Sequence, residues 1–153
     1  MNQEEKVTLY SYYRSSCSWR VRIALNMKKI PHDIKPINLL KGEQLTPEYL
    51  LINPSGSLPC LQVEQSGKTV FISQSLAIIY FLDAHFGGAS LIPKDPFIAA
   101  KAIELAMLII ADTQPLQNLK VLKKVGEDKK EEWARLWIES GLQSTLKQTN
   151  HSF

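Results

Sequence analysis

Between Leu9 and Leu25 the sequence LYSYYRSSCSWRVRIAL passes from aromatic residues into a basic, apolar run, and the joint consists of serines and a cysteine. Val7 to Tyr13 is β-branched and aromatic, the composition of a buried strand. From Ser16 to Met27 the apolar residues Trp19, Ile23, Ala24 and Met27 recur at helical spacing, and Ser15 or Ser16 is a good N-cap. A strand that hands over to a helix in so few residues leaves small hydroxyl and thiol groups at the helix N-terminus, beside amide donors with no intrahelical partner. Such a place suits an anion.

The rest of the chain restricts the fold further. His32 to Leu39 reads as a second strand, and the polar segment through Gln44 leads to Thr46-Pro47-Glu48, where a short helix can start. Asn53-Pro54-Ser55-Gly56 is turn chemistry. Ser57 to Val63 then reads as a strand opened by a proline, with Lys68 to Ile72 as its hairpin partner across Ser66-Gly67. A helix restarts in SQSLAIIYFLDAHF, where Ser73 can cap and Leu76, Ile79, Tyr80 and Asp83 follow at steps of three and four. A β-α-β half followed by a β-β-α half is the thioredoxin arrangement. Residues 87–96 have linker composition, and beyond them only helix is indicated: Ile98, Ala102, Leu105, Ala106 and Ile109 form one apolar stripe, Trp133, Trp137, Ile138, Gly141 and Leu142 another. The expected fold class is an α/β thioredoxin-like N-terminal domain over residues 1–86, a linker over 87–96, and an all-α helical domain, incomplete here, over 97–153.

Composition excludes several functions. The net charge of +3 arises from 18 basic and 15 acidic residues, and the cluster Lys120, Lys123, Lys124, Lys129 and Lys130 is interrupted by Glu127, Asp128, Glu131 and Glu132. That pattern is a solvated helix end, not a nucleic-acid stripe. Two cysteines, Cys17 and Cys60, are too few for a disulfide framework. The first ten residues lack an apolar core, against a secretory signal, and no run approaches the ~18 apolar residues of a membrane helix. A cytoplasmic protein is expected, with a mitochondrial pool as the alternative; neither nucleic acid, membrane nor metal is anticipated as a partner.

In a thioredoxin-like domain Pro59 lies in the loop facing the first helix N-terminus. A cis Leu58-Pro59 bond would turn the Leu58 backbone outward, where its N–H and C=O could pair with an extended peptide; a trans proline starting an edge strand is the plainer alternative. Gln74-Ser75 opens the next helix, whose amides and Ser75 hydroxyl could hold a carboxylate. A thiolate site, a peptide-pairing edge and an anion cradle at one end of a sheet suit a short acidic peptide carrying a thiol. Glutathione fits that description. Cys17, in Cys17-Ser18-Trp19-Arg20 at a helix N-terminus, could instead be the nucleophile of a thiol transferase, although no second cysteine follows at Trp19 or Arg20. Cys60 reads as a buried strand residue.

At this point SSCSWRVRIAL (15–25), NPSGSLPCL (53–61), SQSLAIIYFLD (73–83), LIPKDP (91–96) and QPLQNLKVLKKVG (114–126) together resemble the zeta class of glutathione transferases, which includes maleylacetoacetate isomerase. The resemblance runs over nearly the whole chain and implies glutathione as cofactor. It implies Ser15, Ser16 and Cys17 as the catalytic residues, Ser15 being the hydroxyl that stabilises the glutathione thiolate and Ser16 and Cys17 lining the same pocket, with Ser18, Trp19 and Arg20 also binding glutathione. Gln44, the Leu58 backbone, Gln74 and Ser75 would hold the glutathione backbone, and Asn118, Leu119 and Lys120 would approach from the helical domain. The implied activity is glutathione-dependent cis-trans isomerisation of maleylacetoacetate to fumarylacetoacetate, in tyrosine and phenylalanine catabolism, with transferase activity toward small electrophilic acids. The implied assembly is a homodimer. Arg14 and Arg20 are candidates for the substrate carboxylates, with a structural ion pair as the alternative for either. Members of the class continue through further helices, so a truncated form is expected, and a catalytically silent glutathione-binding module is the competing reading.

Overall fold

A computed structural model of the chain describes residues 5–152. The chain divides into two compact units, Met1–Leu91 and Ile92–Phe153.

The first unit runs β1 (Lys6–Ser11), α1 (Ser16–Met27), β2 (Asp33–Pro36), a 3-10 turn (Glu43–Leu45), α2 (Pro47–Ile52), β3 (Cys60–Gln65), β4 (Lys68–Ser73) and α3 (Ser75–His85). The four strands form one sheet in the order β2-β1-β3-β4, parallel between β1 and β2 and antiparallel elsewhere. This is the expected thioredoxin arrangement. Strand periodicity sorts the residues between two faces. Val7 and Leu9 of β1, with Leu61 and Val63 of β3, join Val21, Ala24 and Leu25 of α1 and Ile78 and Leu82 of α3 in the main core. On the opposite face the register pairs Tyr10 with Cys60, Thr8 with Gln62 and Lys6 with Glu64. A small cluster with Tyr49, Ile37, Ile52 and Leu58 covers the Tyr10–Cys60 end of that face.

Several expectations are corrected at the residue level. β2 is confined to four residues, and the strand expected from Ser57 starts only at Cys60, after Pro59, which has no N–H for the ladder. In α1 the buried residues are Ser18, Val21, Ala24 and Leu25, whereas Trp19, Ile23 and Met27 are 62%, 49% and 57% exposed. Both sets obey helical spacing, and the sheet selects the one that Val7 and Leu9 meet. The core stripe of α3 is likewise Ser75, Ile78 and Leu82, with Tyr80 exposed. Ser73 does not cap α3: it is still paired with Cys60 in the β3–β4 ladder, so Gln74 takes the cap position at φ 71°.

A buried ion pair ties the ends of the helices together. The Lys28 ammonium, just past α1, donates to Asp83 Oδ1 of α3 at 3.2 Å and to the Ala89 carbonyl at 3.0 Å. Asp83 Oδ1 also accepts from the Leu91 N–H at 2.7 Å.

The second unit comprises α4 (Pro96–Met107), a π turn (Leu108–Thr113), a 3-10 turn (Gln114–Gln117), α5 (Leu119–Val125) and α6 (Lys130–Ser152). Asp95 caps α4 by accepting from the Phe97 and Ile98 amides, and Asn118 caps α5 by accepting from Lys120 N–H at 3.2 Å. The anticipated stripes are only partly covered. Leu105, Ala106 and Ile109 are half-buried while Ile98 and Ala102 are exposed, and Trp133, Trp137 and Gly141 are half-buried while Ile138 and Leu142 are exposed. Among the described residues of this unit Thr113 alone is buried, held beneath Gly141 of α6. Among the described residues no helix is long and apolar enough to cross a membrane.

Candidate functional site

The site begins where β1 passes into α1. The Tyr12 carbonyl accepts from Ser15 N–H at 3.0 Å, which turns the chain, and Ser15 becomes the N-cap with extended backbone. Its Oγ accepts from the Ser18 N–H at 3.1 Å. That bond uses a lone pair of the hydroxyl and leaves its proton available for donation outward. Ser15 and Cys17 are half-buried, Ser16 is exposed, and Ser18 is buried with no partner for its Oγ among the described residues.

Arg22, which the sequence reading did not single out, holds this loop in place. Its guanidinium donates to Ser11 Oγ at 2.7 Å, to the Tyr12 carbonyl at 3.3 Å and to the Tyr13 carbonyl at 3.2 Å. The alternation of Arg20 and Arg22 in the helix was the available signal, since positions two apart lie on different faces. Arg20 points elsewhere: its Nη1 donates to Ser75 Oγ on α3. The Ser75 hydroxyl, expected together with the helix amides to hold a carboxylate, is buried and accepts from the Arg20 guanidinium. Gln74 makes no side-chain cap bond at the N-terminus of α3 among the described residues. Uncapped amides with a guanidinium beside them form an anion-favouring corner.

The third component is the loop before β3. The Leu58-Pro59 bond is cis, as anticipated. Ser57 oxygen accepts from the Tyr49 hydroxyl and from Asn53 Nδ2, each at 2.8 Å. Asn53 Oδ1 in turn accepts from Ser55 N–H at 3.2 Å and from Ser55 Oγ at 2.8 Å. Among the described residues neither the Leu58 N–H nor its C=O takes a backbone partner. Gly56 packs on the 3-10 turn that carries Gln44: at its φ of 55° an added Cβ would come within 3.2 Å of the Gln44 carbonyl and 3.0 Å of Leu45 Cδ2. Gln44 Oε1 is buried and has no hydrogen-bond partner among the described residues. A buried amide oxygen without a donor is costly unless a ligand supplies one.

Among the described residues neither Cys17 nor Cys60 is in a disulfide. Burial on β3 pushes the Cys60 thiol up to about 11, which makes it an inert strand residue, as expected. Burial likewise pushes the Tyr49 phenol upward, so it remains a neutral donor. In the second unit Asn118, Leu119 and Lys120 all lie exposed at the N-terminus of α5. Arg14 is exposed, beside the cap. Among the described residues no cluster of His, Cys, Asp and Glu is able to hold a metal ion.

Residues 14–85 match the family model of the glutathione S-transferase N-terminal domain. The probable maleylacetoacetate isomerase 2 of Drosophila melanogaster is 49% identical over 141 residues, which cover 91% of this chain and 60% of that protein. The zeta-class glutathione S-transferase of Euphorbia esula is 45% identical over 140 residues, 89% of this chain and 60% of the relative. The chain thus spans about three fifths of the length of these curated relatives. A crystal structure of maleylacetoacetate isomerase from Anaeromyxobacter dehalogenans 2CP-1, with GSH bound in its active site, superposes with a TM-score of 0.87 at 34% identity, covering 97% of this chain and 70% of that one. Sequence and fold together show that the chain belongs to the glutathione S-transferases, in the zeta-class branch that contains the maleylacetoacetate isomerases.

Proposed function

We propose that this protein binds glutathione across the α1 N-terminus, the Leu58 peptide and the α3 N-terminus, and uses it to isomerise maleylacetoacetate to fumarylacetoacetate. Activity toward other small electrophilic acids belongs to the same proposal. The observation that carries it is Ser15: an N-cap whose oxygen is occupied by the Ser18 N–H and whose proton is left to donate. A hydroxyl that donates to sulfur, at the positive end of a helix, favours thiolate over thiol at neutral pH.

The residues present fit glutathione. The Leu58 N–H and C=O offer a strand-like pair to the cysteinyl backbone, the partnerless Gln44 Oε1 can accept from a ligand amide, and the uncapped α3 amides with Gln74 and Ser75 suit the glutamyl carboxylate. Ser16, Cys17, Ser18 and Trp19 line or flank the sulfur position, and Arg20 fixes Ser75. Asn118, Leu119 and Lys120 are assigned to the same ligand by the resemblance alone. When bound, glutathione supplies a nucleophilic sulfur that adds reversibly to the substrate double bond, which frees that bond to rotate. The chain's own part is to hold the sulfur anionic, fix the peptide, and place donors toward the developing charge. The family resemblance supports a cytoplasmic homodimer.

The test is glutathione-dependent conversion of maleylacetone, with Ser15→Ala and Cys17→Ala compared. Loss of isomerisation in Ser15→Ala and its retention in Cys17→Ala supports the proposal. The reverse pattern, together with disulfide reduction by the parent protein, identifies a Cys17 thiol transferase. Glutathione binding without turnover by folded protein identifies a silent binding module.

A further inference from the structure

Tyr49 and Asn53 touch no part of the proposed ligand position, yet both converge on one atom. The acceptor is Ser57 oxygen, with two donors at 2.8 Å, and it belongs to the peptide unit whose N–H is that of Leu58. A carbonyl that accepts two hydrogen bonds draws electron density toward its oxygen, and the N–H of the same amide becomes a stronger donor. The two bonds also fix the plane of that peptide, so the direction of the Leu58 N–H is set before any ligand arrives.

Both donors are well placed for such a role. Tyr49 and Asn53 are each 3% exposed, one turn apart at the end of α2, so their side chains meet the same loop atom. Asn53 cannot rotate freely, because its Oδ1 is held by Ser55 N–H and Oγ and only its Nδ2 is left for Ser57. The Tyr49 ring is fixed against Tyr10, with centroids 5.9 Å apart.

We infer that Tyr49 and Asn53 are positioning residues which orient and polarise the Ser57–Leu58 peptide so that the Leu58 N–H donates to the ligand backbone. The inference rests on the glutathione reading above and adds residues which that reading does not use. Tyr49, Asn53, Ser55 and Ser57 satisfy one another, and among the described residues the Leu58 backbone is left without a backbone partner.

The test is calorimetric titration with S-methylglutathione, which keeps the peptide and removes the thiol, so that sulfur chemistry cannot contribute. Tyr49→Phe and Asn53→Ala are each expected to raise its Kd by about three- to tenfold, the worth of a modest hydrogen-bond contribution. In turnover with glutathione the same variants raise KM and leave kcat unchanged. Tyr10→Phe serves as the matched control: it removes a part-buried hydroxyl, one that donates to Gln62 at 2.7 Å, in the same cluster. It is expected to leave Kd unchanged. In ligand-free protein the Leu58 amide proton should move upfield in the isosteric Tyr49→Phe, a readout that general loosening would not confine to one residue. Unchanged Kd in both loop variants, with binding by the parent, overturns the inference alone; so does an equal loss in Tyr10→Phe. Absence of binding by the folded parent overturns the glutathione reading and this inference with it.

Discussion

Replacing Gly141 by Ala places a methyl group where α6 meets the π turn, and the geometry sets the cost. An ideal Cβ at this position lies 2.0 Å from Thr113 Oγ1, 2.5 Å from its Cγ2 and 2.7 Å from its Cβ. Ordinary contact between carbon atoms is about 3.5 to 4.0 Å, so α6 would have to retreat by something on the order of 1 Å. Rotating Thr113 does not avoid the clash, because its Cβ is itself too close, and rotation would break its 2.7 Å bond to the Leu108 carbonyl. Against this stands the better helix propensity of Ala, worth about 0.8 to 1.0 kcal/mol. Overpacking costs about 1 to 3 kcal/mol and the lost hydrogen bond about 0.5 to 1.5 kcal/mol, so a net destabilisation of about 1 to 3 kcal/mol is expected. The assay is urea unfolding followed by fluorescence in a Trp19→Phe background, where Trp133 and Trp137 of the second unit are the remaining tryptophans. Thr113→Gly removes every atom named in the clash, so Gly141→Ala should cost less in its presence than alone. A neutral or stabilising Gly141→Ala would refute the reasoning.

Two further outcomes follow from buried groups. Lys28→Met leaves Asp83 without its cation at a position where the two side chains are 1% and 13% exposed, so a loss of about 3 to 5 kcal/mol is expected. Lys28→Met with Asp83→Asn should recover part of it, because an amide oxygen still accepts from Leu91; a single variant within about 1 kcal/mol of the parent in chemical denaturation would contradict this. Cys60 titrates near 11 when folded against an ordinary 9.0, so the unfolded chain releases this proton first and stability falls as pH rises from about 9 toward 11. Cys60→Ala should lessen that alkaline loss, and at pH 8 a thiol reagent should label Cys17 well before Cys60; equal labelling rates in folded protein would count against the burial argument.

Much of the first unit is legible in the sequence because its signals are local. Thr46-Pro47 marks the start of α2, Asn53-Pro54-Ser55-Gly56 the turn, and Ser66-Gly67 the hairpin. What escapes is whatever a second element decides. The exposed set Trp19, Ile23 and Met27 and the buried set Val21, Ala24 and Leu25 both have helical spacing, and Ser18 conceals the core face by being polar. Ser73 has ordinary capping chemistry, but the β3–β4 ladder retains it as a strand residue. Within the site, a serine cap and a Pro59 loop are expected from Ser-Ser-Cys and Leu-Pro, but Ser15 rather than Ser16 as cap, the cis bond, and the contacts of Arg22 with Ser11 and Tyr49 with Ser57 are decided by folding. Arg20 illustrates the same limit, since its engagement with Ser75 joins residues 55 positions apart.

The proposed chemistry requires that the α1 N-terminus with Ser15 be a thiolate site. Its most direct test is an ultraviolet difference titration of glutathione bound to the protein, read as the thiolate absorbance against pH in the parent and in Ser15→Ala. Thiolate at neutral pH is expected in the parent, and in the variant a sulfur pKa returned toward that of free glutathione. Bound glutathione that remains a thiol at neutral pH in the parent, or a titration indifferent to Ser15, would contradict it.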